Sequence, residues 1–163
     1  MSQIDIRLEG GAAEPPWLED CRSFAAAALQ ELEAGDWELS LLFCSDPFIR
    51  GLNRRYRGLD APTDVLSFSQ GGLVTGAGAG VGPGGKPGAQ GQSRVAGDIV
   101  ISLDTLARNA EREGESRETE LKRLLIHGML HLQGLDHPEE GDAEMLRLQE
   151  RLLERLRERR IKL

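Results

Sequence analysis

Apolar positions alternate along some segments of the chain and recur with a helical period along others. Residues 3–8 alternate apolar and polar side chains, which is the pattern of a half-buried strand. Residues 37–44 form a longer, almost continuous apolar run that is typical of a central strand. Two shorter runs, 65–69 and 95–102, have strand character as well. The pattern therefore predicts four strands separated by helical segments.

Five segments carry the signals of helices and of helix ends. Pro16 stands before the first helix, and Gly35 is expected to close it. Ser45 and Ser116 have the character of N-caps for the second and fourth helices, and Pro47 fits the first turn of the second. The predicted helices are 17–34, 46 to about 57, 104–113, 116–133 and 140 to about 159.

The segment between the third and fourth strands is rich in glycine. Ten glycines occur between positions 71 and 91, together with Pro83 and Pro87. Such a segment buries too little surface to offset its chain entropy, so we expect a flexible glycine-rich loop over residues 70–93. With 163 residues the chain has the length of one domain, 1–163, and this loop is interpreted as an insertion in it.

The composition of the chain indicates its cellular compartment and limits the partners that we expect for it. No segment is apolar over the length of a membrane span, and the N-terminus has an acidic residue at Asp5 without an apolar signal region, so we expect a cytoplasmic protein with no membrane partner. Cys21 and Cys44 lack the spacing of a zinc ribbon or redox pair and are interpreted as reduced, buried thiols. The net charge of -7 argues against indiscriminate binding to polyanions, but a local basic patch could still bind nucleic acid.

All three histidines lie in one short motif, HGMLHLQGLDH. His127 and His131 are four residues apart on the predicted helix 116–133, so both project to one side of it. Gly134 can take the left-handed conformation that ends a helix, which would allow His137 to return to the same ion. Three imidazoles suit Zn²⁺ or another divalent transition metal and leave a fourth position open, as catalytic sites require. The motif therefore predicts one metal site that serves hydrolysis.

The residue beside the first histidine distinguishes this motif from that of the metzincin proteases, whose ligand spacing it shares. Those proteases carry a glutamate there as general base, whereas this chain has Gly128. A water activated by the metal can still be the nucleophile, or a carboxylate from elsewhere can supply the base. Asp136 is a candidate for orienting a ligand imidazole, with a surface turn as the alternative.

Four arginines cluster on and just after the predicted second helix. For Arg50, Arg54 and Arg55 a solvated helix face is the simpler interpretation. Arg57 stands where the helix ends before a turn, and a planar guanidinium at such a place can clamp a phosphate bidentately and stabilise charge that develops on it. Arg57 is therefore the candidate phosphate-binding residue.

Three segments, NRRYRGLDAPTDVLSF, AGDIVIS and HGMLHLQGLDH, occur in this order along the chain. With their surroundings, over residues 39 to about 145, they resemble the YbeY family of bacterial endoribonucleases involved in ribosomal RNA maturation. Ser69 and Gln70 depart from the family, which usually continues with proline after LSF, and the glycine-rich loop is longer than the family leads us to expect. Both departures lie away from the metal ligands.

The resemblance implies a zinc-dependent endoribonuclease specific for single-stranded RNA, which acts in 3′ end processing of small-subunit ribosomal RNA and in ribosome quality control. It implies that the three histidines bind Zn²⁺ and that Arg57 is the functional arginine. The implied fold is α/β (α+β), with helices around a small mixed four-stranded sheet. The implied partners are single-stranded or ribosomal RNA, the ribosome and ribosome-associated proteins. Asp64 and Asp98 lie in the matching segments too, and a turn or cap role is the favoured interpretation of each.

Two other functions stay open from the residues alone. One is a peptidase-like hydrolase with the same ligands, which glycine at position 128 disfavours, and the other is a ribosome-assembly factor in which the metal only fixes the fold. A partial match to a phosphate-binding loop, GVGPGGK at 80–86, is rejected because Pro87 replaces the required serine or threonine and has no N–H to donate. No nucleotide cofactor is therefore predicted.

Overall fold

The computed structural model describes residues 2–11, 13–69, 72–73, 94–134 and 141–163. Within these ranges the strands are β1 (Gln3–Leu8), β2 (Trp37–Cys44), β3 (Val65–Ser69), β4 (Gly72–Leu73) and β5 (Arg94–Ser102). The helices are α1 (Trp17–Glu31), α2 (Asp46–Arg57), α3 (Leu103–Glu113), α4 (Arg117–Leu132) and α5 (Gly141–Arg155). Most of the predicted glycine-rich loop, including the rejected match at 80–86, lies outside the described residues, and the single domain over 1–163 stays a prediction.

The described strands form a mixed sheet in the order β1-β2-β5-β3-β4. β1 and β5 pair with β2 in parallel, whereas β3 runs antiparallel to both β5 and β4. The four predicted strands are all present, and the two-residue β4 adds a short fifth strand at the edge beside β3. The predicted fold class, helices around a small mixed sheet, is confirmed.

The two faces of the sheet bury different clusters of side chains, because alternate residues of a strand point to opposite faces. On one face, Leu41 and Ile99 belong to the main core together with side chains of α1 and α4. On the other face, Leu66 and Val100 pack against Ile49 of α2. The helix that carries the histidine motif and the helix that ends at Arg57 thus lie on opposite faces of one sheet.

Helix α1 ends three residues before the predicted end, and Gly35 is not the residue that reverses the chain. Glu33 takes the left-handed conformation with a φ of 58°. The N–H of Ala34 donates to the carbonyl of Leu29 at 2.8 Å, and Ala34 is 1% exposed. This is a Schellman-type end, stabilised by burying an apolar residue just after the turn. The prediction was wrong because alanine favours helix locally, whereas tertiary burial decides its position here.

The N-terminus of α2 is fixed by side chains from other elements. Ser45 occupies the N-cap position, but its hydroxyl bonds to the Glu9 carboxylate at 2.9 Å and does not cap the helix. The Asp46 carboxylate accepts hydrogen bonds from Ser102 at 2.7 Å and from Thr105 at 2.6 Å. These contacts tie the start of α2 to the end of β5 and the start of α3.

Cys21 and Cys44 are free and buried, as predicted. Burial raises the pKa of each thiol to about 12, so both stay protonated at neutral pH. None of the helices in the described part of the chain is both long and apolar enough to cross a membrane.

Candidate metal centre

Helix α4 carries the first two histidines of the motif. It begins where the Ser116 hydroxyl accepts a hydrogen bond from the N–H of Thr119 at 3.0 Å, which confirms the predicted N-cap. It ends where Gly134 takes a φ of 84°, with its N–H donating to the carbonyl of His131 at 2.9 Å. The left-handed glycine that the sequence predicts after the second histidine is therefore present.

His127 and His131 direct the same ring nitrogen toward each other. Their Nε2 atoms are 2.9 Å apart and their ring planes are inclined by 80°. Two nitrogens that bind one zinc ion at about 2.0–2.1 Å in tetrahedral geometry lie about 3.3 Å apart. The separation observed here differs from that value by a few tenths of an ångström. With both Nε2 atoms unprotonated, as metal binding requires, the pair fits a single ion.

Gln149 of α5 holds the other nitrogen of the first ligand. Its side-chain oxygen lies 3.1 Å from Nδ1 of His127, and the residue is 3% exposed. An amide oxygen can only accept, so Nδ1 of His127 carries a proton, and in the neutral imidazole Nε2 then presents its lone pair. This is the arrangement that orients metal-binding histidines in proteins. Sequence analysis did not single out Gln149, because only the packing of α5 on α4 brings it to the motif.

The third predicted ligand, His137, lies outside the described residues, as does Asp136. Among the residues that are described, no three histidine, cysteine, aspartate or glutamate side chains come together as a metal site. The structure thus brings together two of the three predicted ligands. The part of His137 in the site and the role of Asp136 stay predictions.

Gly128 faces the sheet. A Cβ atom added to it would lie 2.9 Å from Cδ1 of Ile99 and 3.1 Å from the Ser67 hydroxyl oxygen. A side chain at this position would therefore enter the contact between α4 and strands β3 and β5. Glycine at the position where the metzincin proteases have their general base thus has a packing reason here. A base, if the reaction needs one, has to come from another part of the chain or from water.

Arg57 is the last residue of α2, and its side chain is exposed. Gly58 caps the helix with a φ of 69°. One guanidinium nitrogen of Arg57 donates to the side-chain oxygen of Asn53 at 3.5 Å, while Asn53 donates to the carbonyl of Ala61 at 2.8 Å and is buried. The amide thus connects Arg57 to the turn after α2 and leaves most of its donors to solvent. That Arg57 reaches a phosphate at the histidines stays a prediction.

Other charged residues of α2 and the following strands form a surface ion pair, stabilise a turn or line a groove. Arg50 makes a two-pronged ion pair with Asp60, at 2.9 and 3.1 Å, which agrees with its interpretation as a surface residue. The Asp64 carboxylate accepts hydrogen bonds from the N–H of Val65 at 2.8 Å and from Asn109 at 3.3 Å, so it stabilises the turn before β3. Asp98 does not have the predicted turn or cap role, because it lies within β5, where it is exposed and lines a groove on the α2 face of the sheet.

Comparison with known proteins gives a consistent result over almost the whole chain. The family model described as Endoribonuclease YbeY matches residues 11–157. A protein of that name from Treponema denticola is 45% identical over 145 residues, which cover 86% of each chain. Another, from Pelotomaculum thermopropionicum, is 42% identical over 153 residues, covering 92% of this chain and 93% of the relative.

A solved structure shows the same fold. The solution structure of TM1509 from Thermotoga maritima is 25% identical in sequence and superimposes with a TM-score of 0.57, covering 95% of this chain and 92% of its own. The match of the family model and the identities to its named members agree with the resemblance seen in the three sequence motifs. This chain belongs to the Endoribonuclease YbeY family.

Proposed function

We propose that the chain is a metal-dependent endoribonuclease that cleaves single-stranded RNA, with one zinc ion held by His127, His131 and His137. The observation that carries this proposal is the convergence of the His127 and His131 Nε2 atoms, 2.9 Å apart, in a member of the Endoribonuclease YbeY family. When bound, such an ion supplies Lewis acidity toward a phosphoryl oxygen and lowers the pKa of water that it coordinates.

The part of the histidine motif that lies on α4 supplies metal ligands but no carboxylate that could accept a proton. Gln149 holds the proton on Nδ1 of His127, so that Nε2 is directed toward His131. Gly128 lies against the sheet and has no group that could take a proton. The proton of the attacking hydroxyl or water therefore leaves to solvent or to a carboxylate outside this helix.

Arg57 supplies the positive charge that phosphodiester cleavage requires. Its guanidinium presents a planar set of donors that matches two phosphate oxygens, and the interaction strengthens as negative charge grows on them in the transition state. The hydrogen bond to Asn53 limits the freedom of the side chain before substrate arrives. Arg50 does not share this role because its Nε and one terminal nitrogen already bind the Asp60 carboxylate.

The biological role that we propose is the maturation of small-subunit ribosomal RNA at its 3′ end, together with ribosome quality control, in the cytoplasm. Its support is the family to which the chain belongs. The net charge of -7 disfavours tight binding to RNA through charge alone. Contact with the ribosome or with ribosome-associated proteins would then bring the enzyme to its substrate.

The test compares four proteins on one defined RNA, offered as a single strand and as a duplex, with metal content measured on each. We expect the wild type to contain one ion and to cleave the single strand in preference. His131→Ala should lose both the ion and cleavage. Arg57→Ala should keep the ion but lose cleavage by about 100-fold or more, since removing one donor to transition-state charge typically costs that much.

Arg50→Ala is the matched control, because it removes an arginine of the same helix that is paired with Asp60. Its cleavage rate should stay within a few-fold of the wild type. If Arg57→Ala cleaves as fast as Arg50→Ala, the role of Arg57 is wrong. If the wild type cleaves peptides and leaves RNA intact, the chain is a peptidase-like hydrolase and the proposed substrate is wrong.

A further inference from the structure

A groove lies on the α2 face of the sheet, the face opposite the histidine helix. Its volume is about 660 Å³, which falls within the range of about 300–1,000 Å³ typical of small-ligand sites. Val100 and Phe68 line it from the sheet, and Phe48 and Tyr56 line it from α2. Asp98 belongs to its polar lining. The groove thus combines an apolar surface with a few charged groups, as ligand sites generally do.

The two aromatic side chains that α2 contributes to this groove are exposed to solvent. Phe48 is 38% exposed and Tyr56 is 47% exposed, whereas the other aromatic side chains in the described part of the chain are buried or half-buried. They stand eight residues apart on α2 with Leu52 between them, so the three form one stripe along the helix. Tyr56 also contacts Phe68 edge to face, with ring centroids 5.1 Å apart. That contact holds the tyrosine ring in place.

The charges around the groove favour an uncharged nucleobase inside it and phosphate groups outside it. Asp5 and Asp98 line the groove, and Arg7, which also lines it, is paired with Asp5 at 2.9 Å. A phosphate inside would meet these carboxylates. Outside, α2 carries four arginines and one aspartate in a chain whose net charge is -7. The guanidinium carbon of Arg55 lies 5.3 Å from the centroid of the Tyr56 ring.

We propose that this groove binds an unpaired nucleobase of the RNA substrate, stacked on Tyr56, while Arg55 contacts a flanking phosphate. The inference rests on the proposed function and adds a base-binding subsite to it. Aromatic rings bind bases of single strands by stacking, largely without regard to sequence. A base within a duplex is already stacked and paired, so it cannot enter. The groove therefore gives a physical reason for selecting single strands.

The experiment measures binding and cleavage separately on the full-length, metal-loaded protein. Binding is read by fluorescence anisotropy with a 2′-O-methyl single strand of about ten nucleotides, a length suited to one such site, whose integrity is checked on a gel. Tyr56→Ala should weaken binding about 10-fold or more, since stacking on one ring contributes about 1–3 kcal/mol per base. Tyr56→Phe keeps the ring and should bind within about threefold of the wild type.

Two controls are included. One separates the contribution of the nucleobase to binding from that of the RNA backbone. The other separates the loss of the tyrosine ring from the loss of any exposed apolar side chain. An abasic oligomer of equal length keeps the phosphates, so the wild type and Tyr56→Ala should bind it equally. Leu146→Ala removes an apolar side chain of similar exposure, 49%, on α5 and should bind as the wild type does. Thermal melting of each variant shows whether it is folded.

The outcomes separate this inference from the function on which it rests. If the wild type cleaves RNA but Tyr56→Ala binds and cleaves it equally well, the groove is not a base site, as would be found if it bound a protein partner. If the wild type binds the strand through Tyr56 but cleaves no RNA, the base site stands and the endoribonuclease proposal fails. If the wild type neither binds nor cleaves single-stranded RNA, both fail.

Discussion

Among single residues, Gln149 is the one that the structure adds to the metal centre predicted from the sequence. The spacing of His127 and His131 on one helix is visible in the sequence, because helical geometry alone places both on one side. The contact of His127 with Gln149 joins residues 22 positions apart on two helices. No local sequence feature distinguishes Gln149 from the other polar residues of its amphipathic helix. The ligands were therefore predictable, and the group that orients one of them was not.

We expect Gln149→Leu to weaken zinc binding by about 10- to 100-fold, the usual cost of losing a partner that orients a metal-binding histidine. Leucine fills a similar volume but cannot accept the proton of His127 Nδ1. Gln149→Glu keeps an acceptor oxygen and should hold zinc at least as tightly as the wild type. Competition with a chromophoric chelator gives the affinities. Equal affinity in the leucine variant would show that the hydrogen bond does not orient the ligand.

At the scale of elements, the contact between α4 and the sheet determines where the histidines are. From the sequence, Gly128 is interpreted only as the absence of a catalytic glutamate. In the structure it allows α4 to approach β3 and β5, with Ile99 and Ser67 directly beneath it. Sequence patterns assign residues to a helix, but they do not report how closely that helix approaches its neighbours. The packing reason for this glycine could therefore not be predicted.

Gly128→Ala should lower the free energy of unfolding by about 1 kcal/mol, because overpacking costs about 1–3 kcal/mol and the gain in helix propensity returns part of it. Gly51→Ala is the matched control, since Gly51 lies inside α2 with nothing within 4 Å of its added Cβ. That change should raise stability by about 0.5–1 kcal/mol. Urea denaturation measures both. A stabilising effect of the same size at both positions would contradict the close packing of α4.

Across the whole molecule, the sequence predicts the strands and helices well because their periodicity is local. The strands over 37–44 and 65–69 have the predicted bounds, and α2 ends at Arg57 as expected. The order β1-β2-β5-β3-β4 depends on which apolar faces meet, which no single segment reveals. The predicted end of α1 was wrong for the same reason, since burial of Ala34 ends the helix within a segment whose residues favour helix.

A carboxylate joins the start of α4 to the segment that follows α5. Glu118 accepts hydrogen bonds from the Arg160 guanidinium at 2.8 Å and from the N–H of Ile161 at 2.9 Å, and Lys122 lies 3.3 Å away. Burial alone would raise the pKa of Glu118, but the bonds from Arg160, Ile161 and Lys122 outweigh it and lower the pKa from 4.5 to about 2. The folded state therefore binds the ionised form more tightly than the unfolded chain does.

This shift predicts how stability depends on pH. Because the folded pKa of Glu118 lies below the unfolded value, its contribution is complete above pH 4.5 and is lost as the pH falls toward about 2. Glu118→Gln should therefore lower the free energy of unfolding by about 1–3 kcal/mol at pH 7, after allowance for partial solvent screening. Glu154→Gln, which breaks an exposed pair with Arg157, should cost less than about 1 kcal/mol. Urea denaturation of both variants and the wild type, at pH 7 and again near pH 3, measures the differences. The deficit of Glu118→Gln should be smaller at the lower pH, and a deficit that is constant with pH would show that the carboxylate charge does not stabilise this junction.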